Sequence, residues 1–192
     1  MIATQATSDN VLIARIAQGD RLAMQVLYGR HHIRVFRFGL RLVGNGDLAE
    51  DLIRTVFLEV WRQAGKFAGR SAVSTWLLTM TRLQALPSLR GRKDVEPDGV
   101  TANAGNAIAG TSCDTDELTL NEDTAVALRK CLTALAPDHR EIVDLAYYHG
   151  KSVGEVAEIV GIPESAVKTR LSDARRTLAD LLDAAGVERG WP

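Results

Sequence analysis

The residues best placed to do chemistry in this chain lie between Ser152 and Arg176, and the chemistry they offer is recognition rather than bond-making. In SVGEVAEIVGIPESAVKTRLSDARR, a small residue, Ala157, stands four positions before a turn glycine, Gly161, and a branched residue, Val167, follows six later. A helix-turn-helix needs that spacing: a small side chain where two helices cross, a glycine in the turn, and a buried residue locking the second helix onto the first. Pro163 sits where the second helix begins, a position at which its missing N–H costs nothing. Ser165, Lys168, Thr169 and Ser172 fall largely opposite Val167 and Leu171, with Glu164 at the start and Arg170, Arg175 and Arg176 flanking. Such a helix can enter a major groove, its early side chains on base edges and its arginines on phosphates.

Other reactive side chains do not assemble. His31 and His32 are adjacent, so on a helix they point about 100° apart and do not share one ion, and no thiol or carboxylate stands at ligand spacing from them. Serines, histidines and aspartates are scattered without a nucleophile elbow, and no glycine-rich phosphate loop occurs. The expectation is therefore no metal, no cofactor and no enzymatic activity. Cys113 and Cys131 are the two cysteines; with no CxxC pair they fit a reducing compartment. Cys131 reads as a small core residue and Cys113 as part of a linker. No apolar run approaches the about 20 residues of a membrane span, and the N-terminal MIATQATSDN lacks the pattern of an export signal. A cytoplasmic protein without direct membrane insertion is expected.

The elements that must position these residues are helices throughout, because nearly every apolar repeat has helical spacing. Ser8 or Asp9 caps a short helix through Ile16. Asp20 caps a longer one with Leu27, Tyr28, Val35, Phe36 and Leu40 on its apolar side, stopped by Gly44-Asn45-Gly46. Asp47 opens DLAEDLIRTVFLEVW, with Leu48, Leu52, Val56 or Phe57, and Val60 inward. After the loop GKFAGRS, a helix begins near Ser74; Pro87 interrupts it, so it either ends by about Ala85, leaving Arg90, Arg92 and Lys93 on a mobile tail, or kinks and continues. The region after it, rich in Gly, Ala, Asn, Thr and Asp, reads as a flexible linker between two domains. The expected architecture is all-α: one domain over 8–93, an acidic linker over 94–116, and a second helical domain over 117–185.

Charge is divided in the same way. Residues 11–93 carry 14 Lys and Arg against 5 Asp and Glu, whereas 94–123 carry 8 acids and no base. The first domain thus suits an acidic partner. Residues 124–185 carry 8 bases and 9 acids, and such a near-neutral domain is poorly equipped to hold DNA alone, because phosphate contacts supply much of the affinity.

Taken together, the two halves resemble one family. DLAEDLIRTVFLEVW and FAGRSAVSTWLLTMTR are similar to the sigma-2 domain of the small extracytoplasmic-function (ECF) sigma factors, and LRKCLTALAPDHREIVDLAYYHGKSVGEVAEIVGIPESAVKTRLSDARRTLADLL resembles their sigma-4 domain. The resemblance covers about residues 8–93 and 117–185. It implies a transcription initiation subunit that binds core RNA polymerase and promoter DNA and is controlled by an anti-sigma factor. It further implies polymerase contacts at Glu50, Asp51 and Arg54. A -10 surface would comprise Lys66, Phe67, Gly69, Arg70, Ser71, Ser74, Thr75 and Trp76, where cations, aromatic faces and short hydroxyls suit single-stranded bases. Glu164, Ser165, Lys168, Thr169, Arg170, Ser172, Arg175 and Arg176 would read the -35 element.

The chain departs from the family pattern at Arg54 and Thr55, where Gln and an acid are usual, and at Thr81, Leu83 and Pro87, where Ala, Asn and Asp are usual. Two other readings stand beside the leading one: a sigma-like decoy that binds an anti-sigma factor without initiating, and a free-standing helix-turn-helix regulator.

Overall fold

The computed structural model describes residues 7–95 and 122–186, with side chains over 7–89 and 126–186. Most of the expected linker, Cys113 included, lies outside the described residues. The chain forms two compact units, Met1–Ala107 and Ile108–Pro192. Every regular element among the described residues is helical.

In the first unit, α1 (Asp9–Ile16), α2 (Arg21–Val43), α3 (Gly46–Gln63) and α4 (Val73–Val95) enclose one apolar core. Leu12, Ile13 and Ile16 of α1 meet Leu27 and Val35 of α2, Leu52, Val56 and Val60 of α3, and Leu77 and Met80 of α4. Burying each such side chain contributes roughly 1.5–3 kcal/mol. Asp20 caps α2 by accepting from the Leu22 and Ala23 amides at 2.9 and 3.0 Å. Gly44, at φ +65°, ends that helix in the left-handed region, where a Cβ is unfavourable.

Two details differ from the sequence expectation. The cap of α3 is Asn45, whose side-chain oxygen accepts from the Leu48 amide at 3.0 Å, so the helix starts at Gly46 rather than Asp47. Leu48 and Tyr28 are exposed rather than inward. The buried stripe of α3 runs Ala49, Leu52, Ile53, Val56, Phe57, Val60, and Leu48 stands about 100° from Ala49. Tyr28 sits at the rim of α2's buried face, edge-on to Phe57 at 4.8 Å and stacked on His32 at 4.9 Å.

At Pro87 the sequence left two outcomes open, an end near Ala85 or a continued helix. Helix α4 passes through Pro87 to Val95, so the backbone carrying Arg90, Arg92 and Lys93 is helical rather than a loose tail. Pro87 is exposed, and the face of α4 that packs against α2 and α3 carries the helix past the missing N–H.

In the second unit, α5 (Glu122–Ala134) is followed by α6 (Pro137–Val143), a π-helical turn at Asp144–Tyr148, α7 (Val153–Val160) and α8 (Glu164–Ala184). The expected single helix from Pro137 thus widens at its end, where the His149 amide bonds back five residues to Asp144 O at 3.1 Å. Arg140 donates to the carbonyls of Thr133 and, at 3.0 Å, Leu135, tying α6 to the end of α5. The buried apolar residues of this unit include Leu135, Ile142, Leu145, Val156, Ile159, Val160, Val167, Leu171 and Ala174, with Cys131 among them.

Candidate nucleic-acid interface

Helix α8 is aimed by its neighbours before any of its exposed side chains matters. Ser152 caps α7 through a reciprocal pair: the Glu155 amide donates to Ser152 Oγ at 3.3 Å, and the Ser152 amide donates to Glu155 Oε2 at 3.0 Å. Lys151 Nζ reaches the other carboxylate oxygen of Glu155 at 3.0 Å. Gly161 ends α7 at φ +72°, and the amides of Gly161 and Ile162 both donate to Ala157 O, at 2.8 and 3.2 Å. Val167 is fully buried. Cap, turn and lock therefore hold α8 at both its start and its inner face.

On α8, Glu164, Ser165, Lys168, Thr169, Ser172, Arg175 and Arg176 are exposed. At about 100° per residue, Ser165 and Ser172 form the centre of this face, Thr169 and Arg176 one edge, and Lys168 and Arg175 the other. Arg170 falls about 140° from Ser165. It is directed to α6, where its Nη1 lies 3.3 Å from Asp138 Oδ2. The Thr169 hydroxyl donates to Ser165 O at 3.1 Å.

The arginines differ in electrostatic setting. Arg176 Nη2 pairs with Asp173 Oδ1 at 3.0 Å. Arg175 is held instead by a neutral group: its Nε donates to Tyr147 Oη at 2.6 Å, and its Cζ lies 5.7 Å from the Tyr147 ring centroid. Tyr147 and Asp138 were not singled out from sequence. They stand 28 and 32 positions before their partners, and no local spacing announces a contact across that distance.

The loop between α3 and α4 carries the second group. A short 3₁₀ turn, Ala64–Lys66, ends at Lys66, which is exposed together with Gly69 and Arg70. Gly69 takes φ +67° with open space where a Cβ would stand. Ser71, Ser74 and Trp76 are half-buried, and the Phe67 and Trp76 rings meet at 4.8 Å with a 42° tilt while packing against the core. Thr75 departs from the expected surface: it is fully buried. Helix α4 packs on both α2 and α3, which widens its buried face to include this position, so the Thr75 hydroxyl is not presented to a strand outside. Thr81 is also fully buried and donates to Leu77 O at 2.8 Å. Leu83 and Pro87 lie outward, one helical turn apart.

On α3, Glu50, Asp51 and Arg54 form one exposed group. Arg54 Nη1 donates to Asp51 Oδ1 at 3.0 Å, and Nη2 to Glu50 Oε2 at 3.3 Å. The unusual arginine is thus compensated by its own helix. Exposed pairs of this kind contribute between zero and about 1 kcal/mol each.

Among the described residues, no three His, Cys, Asp or Glu side chains gather as metal ligands, and no helix is long and apolar enough to cross a membrane. His31 is engaged by Asp9, with Nε2 and Oδ2 2.7 Å apart.

The first unit carries a polar loop between two of its helices and the second a helix-turn-helix, and each matches one part of the two-part transcription factors of the sigma-70 type. Residues 27–95 match the family described as Sigma-70 region 2, and 125–178 match Sigma-70, region 4. The chain is 30% identical over 179 residues to the ECF RNA polymerase sigma factor SigL of Mycobacterium tuberculosis, covering 92% of this chain and 98% of that one. It is 29% identical over 177 residues to SigK of the same species, covering 92% and 94%. Among solved structures it is similar to CnrH in complex with the cytosolic domain of CnrY (TM-score 0.65, 22% identity, 93% of this chain and 99% of that one). It is also similar to the sigma factor RpoE in complex with the anti-sigma factor NepR from Bartonella quintana (TM-score 0.58, 26% identity, 81% and 92%). The chain belongs to the ECF RNA polymerase sigma factor family.

Proposed function

We propose that this chain binds core RNA polymerase and directs it to a particular class of promoter. In this reading the exposed Glu50–Asp51–Arg54 surface of α3 meets the polymerase. The loop from Lys66 to Ser74, backed by Phe67 and Trp76, holds the melted -10 strand, and the outer face of α8 reads the -35 duplex. The observation that carries the reading is the α8 face itself: hydroxyls at its centre and cations at its edges, on a helix locked by Val167 and the Ser152 cap. Stacking on aromatic faces beside cations is the physical basis for holding unpaired bases. An anti-sigma factor is the proposed regulator, since one of the similar structures is a sigma factor bound to such a partner.

The test is run-off transcription with purified core polymerase on a template from the region upstream of the chain's own coding sequence. Initiation at one defined start, dependent on this chain, is the expected result. A chain that fails to co-elute with core polymerase yet captures an anti-sigma factor encoded beside it would support the decoy reading instead. The outward Leu83 and Pro87, apolar on a helix expected to face promoter DNA, are the observation that favours that alternative.

A further inference from the structure

We infer that Tyr147 is a positioning residue for DNA binding: it holds Arg175 in place for a phosphate without cancelling its charge. The inference rests on the reading of α8 as the duplex-facing helix. Of the three arginines on α8 expected near phosphates, two are paired with carboxylates, Arg170 with Asp138 and Arg176 with Asp173. A phosphate must displace those carboxylates or share the guanidinium with them. Arg175 alone of the three is anchored by a neutral partner, through Nε to Tyr147 Oη and through the ring face.

A guanidinium presents five N–H donors in a rigid fork. Binding at Nε occupies one of those donors, leaves the end-on pair of Nη N–H groups open to a phosphate, and fixes the plane in which they lie. Holding the group in advance reduces the side-chain entropy lost when a phosphate arrives. Lys168 stands on the same edge of α8, about 20° from Arg175 in projection, and among the described residues it has no ion pair. Lys168, Arg175 and the exposed Tyr147 thus share one edge along which a phosphate backbone can run; Glu164 stands on that edge one turn before Lys168, and Asp173 lies beside the Thr169–Arg176 edge.

The test uses holoenzyme assembled from core polymerase and the full chain, with a fluorescent duplex from the region upstream of the chain's own coding sequence. Affinity is measured across a salt series. Arg175→Met is expected to weaken binding about tenfold and lower the salt slope by about 0.9, the loss of one phosphate contact. Arg176→Met should lower the slope by less than half as much. Tyr147→Phe keeps the ring and every charge but loses the hydroxyl; it is expected to weaken binding about three- to tenfold with the salt slope nearly unchanged. The double variant Tyr147→Phe/Arg175→Met should bind no worse than Arg175→Met alone, because the hydroxyl acts only through the guanidinium. Undiminished binding by Tyr147→Phe, or penalties that add in the double variant, would overturn the inference while leaving the promoter reading intact. Failure of the unsubstituted holoenzyme to bind the duplex would overturn both.

Discussion

Asp9 in the first turn of α1 and His31 in the middle of α2, 22 residues apart, meet with Oδ2 and Nε2 separated by 2.7 Å. Arg30 completes the clamp, donating to Asp9 Oδ1 at 2.7 Å and to Thr7 O at 2.6 Å. A short helix of eight residues is marginal by itself; this clamp and the burial of Leu12, Ile13 and Ile16 hold α1 against α2.

The clamp makes stability depend on pH in a definite direction. Partial burial alone would raise the Asp9 carboxyl, but hydrogen bonds from Arg30 and His31 outweigh it and hold the carboxyl below its ordinary value of 3.8. A group depressed in the folded state contributes stability above its unfolded pKa and loses that contribution as pH falls through the lower, folded value. Asp9→Asn should therefore lower stability by about 1–2 kcal/mol at pH 6, the scale of lost hydrogen bonds to a charged group. The difference between the two proteins should shrink below about pH 4. Thermal melts of both across pH 3–6 check this; a constant difference would mean the clamp acts through packing alone.

Two glycines of α2 should respond oppositely to added bulk. Gly29 has open space where a Cβ would stand, so Gly29→Ala should stabilise the first unit by up to about 1 kcal/mol, the helix-propensity difference. At Gly39 a Cβ would meet Leu52 Cδ2 at 3.0 Å and Thr81 Cγ2 at 3.7 Å. Gly39→Val should cost roughly 1–3 kcal/mol through overpacking. Urea unfolding of the two variants measures both signs.

Lys168 and Arg170 separate recognition from packing. Lys168→Glu should weaken duplex binding by holoenzyme at least tenfold with no loss of melting temperature. Arg170→Glu should also destabilise the second unit, since it sets two acids together at Asp138. Adding Asp138→Arg should recover that stability without restoring wild-type DNA binding if Arg170 also touches DNA, and with full recovery of binding if it acts only through α6. Melting curves and DNA titrations on the same three proteins decide between the two.

The left-handed turn at Gly161 should not tolerate a side chain. Gly161→Ala is expected to cost about 1–2 kcal/mol, the price of a left-handed residue with a Cβ. It should weaken duplex binding more than polymerase binding, because the turn sets the angle of α8. Equal losses of both would point to general unfolding.

Pro87 offers a test of how firmly tertiary contacts hold α4. Pro87→Ala restores an N–H one turn after Leu83, and should stabilise the first unit by about 1–3 kcal/mol. Hydrogen exchange at residues 83–91 should slow in the variant. An unchanged melt would show that the last turns of α4 open independently of the core.

What the sequence determined by itself was local. Asp20 as a cap, Gly44 and Gly161 as stops, and the spacing of Ala157, Gly161 and Val167 all act within a few residues, and the same short-range chemistry makes the motif legible and the helix form. The α4 helix shows where that legibility ended: proline chemistry allowed two outcomes at residue 87, and packing against α2 and α3 selected the continuous helix. The same packing buried Thr75. The Asn45 cap won over Asp47 because the backbone placed its oxygen on the Leu48 amide. Most of all, Arg170 and Arg175 look alike in sequence, yet Arg170 answers to Asp138 and Arg175 to Tyr147, each across the fold, while Arg176 pairs with Asp173 on its own helix. Electrostatic interaction falls with distance in space, not along the chain, so only the folded second unit could decide which of these charges remains uncompensated at the surface.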